Sequence, residues 1–175
     1  MARVYLSIGS NIRREHYVTR CLDTLSDEFG ELTISSIYES EAVGFDGEAF
    51  YNLVIGLDTE LTLSSLYQRL RAIEHDNDRC HNAVKFSSRT LDIDILTYDD
   101  YVGTFEGGRL PRAEITKNAF VLCPLAELIP AALHPELQQS YQQLWQQFDR
   151  QRQPLWPVSF IWRGRELSNT TQRQA

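Results

Sequence analysis

Near the N-terminus the sequence is Val4-Tyr5-Leu6-Ser7-Ile8-Gly9-Ser10-Asn11, in which apolar residues occupy every second position before a turn. Residues two apart in a strand lie on the same face, so this alternation predicts a strand that ends at Gly9-Ser10-Asn11. The next apolar residues recur at helical spacing: Val18, Cys21, Leu22, Leu25 and Phe29. That spacing predicts an amphipathic helix with Gly30 as its C-terminal cap.

The pattern then repeats, with two strands before the next helix. Residues Thr33 to Tyr38 are rich in β-branched side chains, and residues Tyr51 to Leu61 are apolar on both faces, which is typical of a central strand. Thr62 is a suitable N-cap for a second helix. The predicted core face of that helix consists of Leu63, Leu66, Leu70 and Ile73. A further strand is predicted from Thr90 to Tyr98, which completes a β-α-β-β-α-β order.

The C-terminal third of the chain is predicted to add helices. The apolar stretch from Asn118 to Leu128 indicates one helix, although it contains Pro124. A last helix is predicted from Pro135 to Phe148. Its apolar face would consist of Leu137, Tyr141, Leu144, Trp145 and Phe148. We therefore expect an α+β fold with a ferredoxin-like βαββαβ core, in which the helices stack on one face of a mixed sheet. Residues 1–162 would form a single domain, and residues 163–175 a polar, disordered tail.

Composition excludes several functional classes. The chain has 175 residues and a formal net charge of −7, whereas nucleic-acid binding requires a basic surface. Its cysteines (Cys21, Cys80 and Cys123) are odd in number and have no CxxC spacing, which suits a reducing compartment. The N-terminus does not resemble a signal peptide, and no apolar run is long enough to span a bilayer. We expect a cytoplasmic monomer whose partners are small molecules, with no nucleic acid or membrane among them.

The chemically informative stretch is Arg89-Thr90-Leu91-Asp92-Ile93-Asp94-Ile95-Leu96. In a strand, Leu91, Ile93 and Ile95 face the core, and Asp92 and Asp94 project together from the opposite face. Two adjacent carboxylates suit Mg²⁺, which takes one or two carboxylates and leaves its other positions to water and phosphates. The alternative is an amphipathic strand whose polar face is acidic by chance.

Basic residues precede this acidic pair. Arg79, His81, Lys85 and Arg89 lie in the loop before the strand, where they could bind phosphates that a metal ion holds from the other side. A solvated loop with balanced charges is the alternative. Glu74, near the end of the preceding helix, is assigned to the same nucleotide site, although an ordinary surface position would explain it equally well.

The run from Arg89 to Ile95 resembles the signature of the 6-hydroxymethyl-7,8-dihydropterin pyrophosphokinase family of the folate pathway. Weaker similarities occur in the same order along the chain. They comprise Ile8-Gly9-Ser10-Asn11, Tyr38, Gly44, Tyr51-Asn52, Pro111 and Phe120. The resemblance covers roughly Val4 to Phe148, and the family's fold is ferredoxin-like.

The resemblance implies a site for each substrate. ATP would bind with two Mg²⁺ ions held by Asp92 and Asp94, and Arg79 and Arg89 would act on its phosphates. The remaining nucleotide contacts would come from Glu74, His81, Lys85 and Arg112. The pterin would lie in a slot between Phe120 and a second aromatic side chain, with Asn52 bonding to its ring edge. The full set of slot residues would be Ser40, Val43, Phe50, Asn52, Phe86 and Phe120.

The chain departs from the family pattern in the loop before the signature. Phe86 stands where the family has tryptophan, Ser87 and Ser88 replace a small residue and a proline, and His81 replaces a second arginine. Further along, Arg112 stands at a family histidine and Asn118 at a family arginine. Two other functions remain open: a non-catalytic paralogue that binds a pterin or nucleotide, and a magnesium-dependent phosphotransferase that acts on another heterocyclic alcohol.

Overall fold

A computed structural model describes residues 1–41, 47–78 and 90–170. Its central sheet consists of six strands: β1 (Ala2–Ser10), β2 (Thr33–Ile34), β3 (Ile37–Ser40), β4 (Phe50–Thr59), β5 (Asp92–Tyr98) and β8 (Leu155–Val158). Their order in the sheet is β5-β1-β4-β3-β8, with the short β2 also paired to β4. Every pairing in this sheet is antiparallel, so the prediction of a mixed sheet was wrong.

The remaining elements are two small hairpins and five helices, within the described ranges. The hairpins are β6 (Gly103–Phe105) with β7 (Gly108–Leu110), and β9 (Ile161–Trp162) with β10 (Arg165–Glu166). The helices are α1 (Arg14–Phe29), α2 (Leu63–Asp76), α3 (Glu114–Lys117), α4 (Ala119–Leu128) and α5 (Tyr141–Gln147), and a 3-10 turn spans Arg150–Arg152. None of the described helices is long and apolar enough to cross a membrane.

The first helix pair packs on one face of the sheet, as its periodicity predicts. The predicted stripe of α1 is buried against the alternate residues Val4, Leu6 and Ile8 of β1. Gly30 ends α1 with φ 82° and donates its N–H to Ser26 O, which confirms the cap. The Thr62 side chain accepts a hydrogen bond from Ser65 N at the start of α2, as expected for an N-cap.

The opposite face of the sheet is covered as well, which corrects the prediction that the helices stack on one face. Val54 of β4 and Leu96 of β5 pack there against Leu122 and Leu125 of α4 and Tyr141 of α5. The physical reason was visible in the sequence: a strand that is apolar on both faces needs cover on both sides.

The predicted second strand is interrupted at Ser35 and Ser36. The Ser35 hydroxyl accepts from Val54 N at 2.9 Å, so a side chain replaces one bond of the strand ladder. The Ser36 N–H is bound by the Glu127 carboxylate of α4 at 3.0 Å. These two bonds divide the predicted strand into β2 and β3.

The last helix begins later than predicted. Helix α5 starts at Tyr141, directly after its N-cap Ser140. Ser140 and Gln143 form a reciprocal capping box across the first turn. The preceding residues form a turn in which Gln138 has φ 56°, and Leu137 is 47% exposed. Leu137 therefore belongs to a surface turn and not to a helical core face.

Most of the predicted tail is ordered structure. The hairpin β9–β10 is followed by Leu167 and Ser168, each only 9% exposed. The Ser168 hydroxyl accepts from Ile37 N at 2.8 Å, and Asn169 N donates to Ser36 Oγ at the same distance. The prediction of a disordered tail was thus wrong for residues 163–170, and residues 171–175 lie outside the described ranges.

The turn before α5 depends on a neutral histidine. His134 is 5% exposed, and its Nδ1 accepts from the backbone N–H groups of Glu136 at 3.2 Å and Leu137 at 3.0 Å. Burial lowers the pKa of His134 from its ordinary value. Both accepted bonds require the unprotonated nitrogen, so protonation removes them.

We therefore expect a stability change with pH that depends on His134. A lowered folded-state pKa favours the neutral ring, so the stabilisation is complete above the unfolded pKa of about 6.5 and decreases as the pH falls below it. The expected loss by pH 5 is about 1 kcal/mol, the scale of a broken buried hydrogen bond. The free energy of unfolding, measured with urea at pH 7.5 and pH 5, should differ less between the two pH values in His134→Asn than in the wild type. The asparagine amide oxygen accepts hydrogen bonds at both pH values. The exposed His16→Asn is the control, and equal pH dependence in both variants would contradict the assignment.

Candidate active site

The two aspartates of β5 lie on the same face of the sheet, as the sequence predicts. Asp92 is opposite Gly9 of β1 and Asp94 is opposite Ser7, so both project away from the α1–α2 side. The alternating residues Leu91, Ile93 and Ile95 are at most 5% exposed on the other side. The Asp94 side chain is 41% exposed and is therefore accessible to a ligand.

Arg112 lies beside this acidic pair. Its Nη2 is 3.6 Å from Asp94 Oδ1, and its Nε is 2.8 Å from Glu114 Oε2. The backbone N–H of Arg112 also donates to Leu96 O at 2.9 Å, which fixes the segment against β5. A guanidinium group therefore balances the charge of Asp94, at a position where it could instead bind a phosphate.

The residues present fit a magnesium ion. Among the described residues there is no group of three or more His, Cys, Asp or Glu side chains that could hold a metal. Mg²⁺ needs no such group, since one or two carboxylates suffice when water and substrate phosphates supply the other oxygens. Asp92 and Asp94 are such a pair.

Glu74 lies between α2 and β5 and not at an ordinary surface position, which was the alternative. It is 2% exposed on α2, and its Oε2 accepts from Ile93 N at 2.8 Å. The carboxylate therefore binds the strand backbone between Asp92 and Asp94. This position at the helix–strand interface indicates that Glu74 holds the aspartate-bearing strand, and its contact with a nucleotide stays a prediction.

A row of paired residues runs from the aspartates across the sheet. Asp92 is opposite Gly9, Gly9 is opposite Asn52, and Asn52 is opposite Tyr38. Adjacent strands are about 4.8 Å apart, which separates Asp92 and Asn52 by about 10 Å. A Cβ at Gly9 would meet Asn52 Oδ1 at 3.4 Å, so glycine keeps this amide oxygen uncrowded.

Asn52 and Ser40 are hydrogen-bonded at the far end of this row. Asn52 is 4% exposed and donates from Nδ2 to Ser40 Oγ at 2.8 Å. Phe50 is half-buried two residues before Asn52, directly opposite Ser40. Three of the predicted slot residues therefore share one patch of the sheet face.

Phe120 joins this patch from the first turn of α4. Phe120 and Ser40 line a pocket of about 120 Å³ together with Glu41. The other wall of the pocket is the segment Arg152–Leu155, which sequence reasoning missed. This segment has neither regular alternation nor a recognisable motif, so no signal in the sequence placed it at the site.

A larger, shallow pocket of about 420 Å³ lies on the other side of Arg112. Its lining includes Lys117, Glu114 and the pair Arg109–Glu136, in which Arg109 Nη2 is 2.9 Å from Glu136 Oε2. Arg112 connects this pocket to the acidic pair, since it lines the pocket and pairs with Asp94.

The half-buried Cys123 thiol and the buried Tyr38 phenol are both held neutral. Burial raises the pKa of the Cys123 thiol to about 11 and raises the pKa of the Tyr38 hydroxyl well above its usual range. The Tyr38 hydroxyl donates to Glu127 Oε1 at 3.2 Å. Neither group is thus a nucleophile at neutral pH.

Six predicted site residues lie outside the described ranges. They are Val43, Arg79, His81, Lys85, Phe86 and Arg89. Their assignments stay predictions.

The described site has the features expected of an enzyme that transfers a phosphorus group to a small, flat acceptor. An acidic pair with a neighbouring arginine lies at one end, and an amide with aromatic side chains lies about 10 Å away.

Comparison with known proteins identifies the family. The family model for 7,8-dihydro-6-hydroxymethylpterin-pyrophosphokinase matches residues 5–130, so the chain belongs to this family of pyrophosphokinases. The 2-amino-4-hydroxy-6-hydroxymethyldihydropteridine pyrophosphokinase of Aquifex aeolicus is 36% identical over 138 residues, which cover 77% of this chain and 85% of that protein. The protein of the same name from Porphyromonas gingivalis is 35% identical over 142 residues, covering 78% and 96% respectively.

A solved structure supports the fold. The Plasmodium falciparum HPPK-DHPS crystal structure matches with a TM-score of 0.66 at 15% sequence identity. The match covers 87% of this chain but only 44% of that longer chain. At this identity the likeness concerns the fold alone.

Proposed function

We propose that this chain transfers pyrophosphate from ATP to 6-hydroxymethyl-7,8-dihydropterin, giving AMP and the pterin diphosphate. The observation that carries the proposal is the row Asp92–Gly9–Asn52, which joins a metal-suited carboxylate to a buried amide across one sheet face. Membership of the pyrophosphokinase family supplies the reaction class. We further infer that the strand order β5-β1-β4-β3 with helical crossovers is a ferredoxin-like core.

The pterin is proposed to lie over the patch formed by Ser40, Phe50 and Asn52, with Phe120 against its ring. A flat heterocycle offers faces for aromatic stacking and edges for an amide, which both accepts and donates hydrogen bonds. With its ring edge at Asn52, the hydroxymethyl group extends along the row toward Asp92.

The proposed reaction is an in-line displacement. The hydroxymethyl oxygen attacks the β-phosphorus of ATP and loses its proton, and the bond from that phosphorus to the oxygen shared with the α-phosphate breaks. AMP leaves with this oxygen, and the β- and γ-phosphates remain on the pterin. Such a transfer depends on positioning and charge neutralisation more than on covalent catalysis.

Asp92 and Asp94 are the residues that would hold Mg²⁺, two ions in our proposal, which neutralise phosphate charge when bound. Arg112 would exchange Asp94 for a phosphate oxygen when the nucleotide enters. Arg79 and Arg89 are proposed to bind the transferred group. Cytoplasmic location and a monomeric state stay predictions.

Product analysis tests the proposed function. Purified protein with MgATP and 6-hydroxymethyl-7,8-dihydropterin is expected to give AMP and the pterin diphosphate in equal amounts, measured by ion-exchange chromatography and ³¹P NMR. Without the pterin, no AMP should form. Formation of ADP would indicate transfer of a single phosphoryl group and would contradict the proposal.

Two further outcomes identify the alternative functions. Saturable pterin binding without turnover would indicate a non-catalytic paralogue. Turnover with another heterocyclic alcohol from a substrate panel, but not with the pterin, would indicate a different phosphotransferase.

A further inference from the structure

The pocket beside Phe120 is formed by two parts of the chain, of which the family model matches only one. Ser40, Glu41 and Phe120 lie within residues 5–130, the part that the family model matches. Arg152 and Gln153 lie beyond it and form the facing wall. The candidate slot is therefore completed by a segment that the family model does not cover.

Gln153 ties this segment to the start of α4. Its Oε1 accepts from Ala119 N at 2.7 Å, and its Nε2 donates to Lys117 O at 3.1 Å. The N-cap residue Asn118 makes no side-chain cap bond, so Gln153 supplies the acceptor that the helix start needs. Because Phe120 follows Ala119 directly, these bonds also fix the position of the stacking aromatic.

Arg152 directly precedes Gln153 on the pocket wall, and it is exposed to solvent. Its backbone N–H donates to Asp149 O at the 3-10 turn, and within the described ranges its side chain has no hydrogen-bond or ion-pair partner. Arg150, on the same turn, instead lies over the Trp145 ring at 4.6 Å and does not line the pocket. Only one of these two arginines is thus placed to meet a ligand in the slot.

The pocket lies at the end of the slot remote from the acidic pair. Ser40 is on β3, and β4 and β1 separate it from Asp92 on β5. Three strand spacings place the pocket about 14 Å from the aspartates. A pterin with its 6-hydroxymethyl group toward Asp92 directs its other ring, which carries the 2-amino and 4-oxo groups, toward this pocket.

We propose that Arg152 is a specificity residue that donates a hydrogen bond to the 4-oxo edge of the heterocycle, and that Gln153 is the positioning residue that holds Arg152 and Phe120 in place. A guanidinium donates hydrogen bonds and accepts none, so it favours a carbonyl edge over an amino edge. The inference rests on the proposed function and names the part of the substrate that this chain's own C-terminal segment selects.

Binding of two matched ligands tests the role of Arg152. The ligands are 6-hydroxymethylpterin and its 2,4-diamino counterpart, in which an amino group replaces the 4-oxo group, each titrated with Mg²⁺ and a non-hydrolysable ATP analogue. Arg152→Ala is expected to weaken binding of the 4-oxo ligand about 10-fold, the scale of one charge-assisted hydrogen bond, and to change binding of the diamino ligand less than about 2-fold. Arg150→Ala, the matched control, should change neither.

Equal weakening of both ligands by Arg152→Ala, or no change in either, would overturn the specificity role. If the wild-type protein bound neither ligand, the proposed function itself would fail. The two failures are therefore distinguishable.

The positioning role of Gln153 has a separate test. Gln153→Met keeps the side-chain length but removes both hydrogen bonds of the side-chain amide. It is therefore expected to weaken binding of both pteridines about 10-fold while leaving affinity for the ATP analogue unchanged. Hydrogen exchange at the Ala119 amide should accelerate in this variant. Gln151→Met, an exposed neighbour, is the control. Unchanged pteridine binding with faster exchange would show that Gln153 caps α4 without serving the slot.

Discussion

Asp92→Asn and Asp94→Asn are each expected to lower kcat/KM by about 10³-fold or more, which corresponds to the several kcal/mol that a metal ion supplies at a phosphoryl centre. Asparagine keeps the size of the side chain and removes its charge, so the effect isolates the carboxylate. The fold should survive because both side chains project from the face opposite the buried Ile93 and Ile95. Steady-state kinetics at several Mg²⁺ concentrations measure the change.

The matched control is Asp100→Asn, an exposed aspartate in the turn after the same strand. It should keep wild-type turnover. Circular dichroism and the Tm of each variant establish that the fold is retained. Near-wild-type turnover of either site variant at saturating Mg²⁺ would contradict the metal assignment. It would also contradict the proposed orientation of the pterin, whose hydroxymethyl group is directed toward Asp92.

The sequence contained enough to predict the arrangement of the aspartates. Alternation along Leu91–Ile95 depends only on strand geometry, and the buried face and the acidic face lie where that geometry puts them. The helix caps Thr62 and Gly30 could also be predicted, because a helix cap depends only on the few residues around it.

One error could have been avoided from the sequence. Ser140 and Gln143 have the spacing of a capping box, which marks a helix start at Tyr141 and contradicts a start at Pro135. The cover on both sheet faces was also implied by the apolar residues of β4, since Val54 needs apolar neighbours as much as Leu53 does.

Other features could not be predicted because they depend on contacts distant in sequence. Gln153 reaches Ala119 across 34 positions, and Ser168 reaches Ile37 across 131. No local sequence pattern around Gln153 or Ser168 predicts the residue that it contacts. Glu74 was singled out from the sequence, but its bond to Ile93 N could not be predicted because it depends on the packing of α2 against β5.

Removal of residues 163–175 is expected to destabilise the protein strongly. The deletion exposes the core that Leu167 covers, and burial of such a side chain contributes about 1.5–3 kcal/mol. It also leaves Ile37 N without its Ser168 acceptor, which costs about 1–3 kcal/mol for a buried donor. The ion pairs of Arg163 with Asp23 and Asp27 are half-exposed and contribute little.

The combined loss of about 2.5–6 kcal/mol is a large part of the 5–15 kcal/mol that stabilises an ordinary domain. For a chain of this size it corresponds to a decrease in Tm of about 10 °C. Differential scanning calorimetry of the chain ending at Trp162 measures this, and deletion of only residues 171–175 is the control because it keeps every contact named above. If neither deletion changed the Tm, the tail would be dispensable and the prediction would be contradicted. Since Ile37 begins the strand that carries Ser40, the longer deletion should also weaken pteridine binding at temperatures where the protein is still folded.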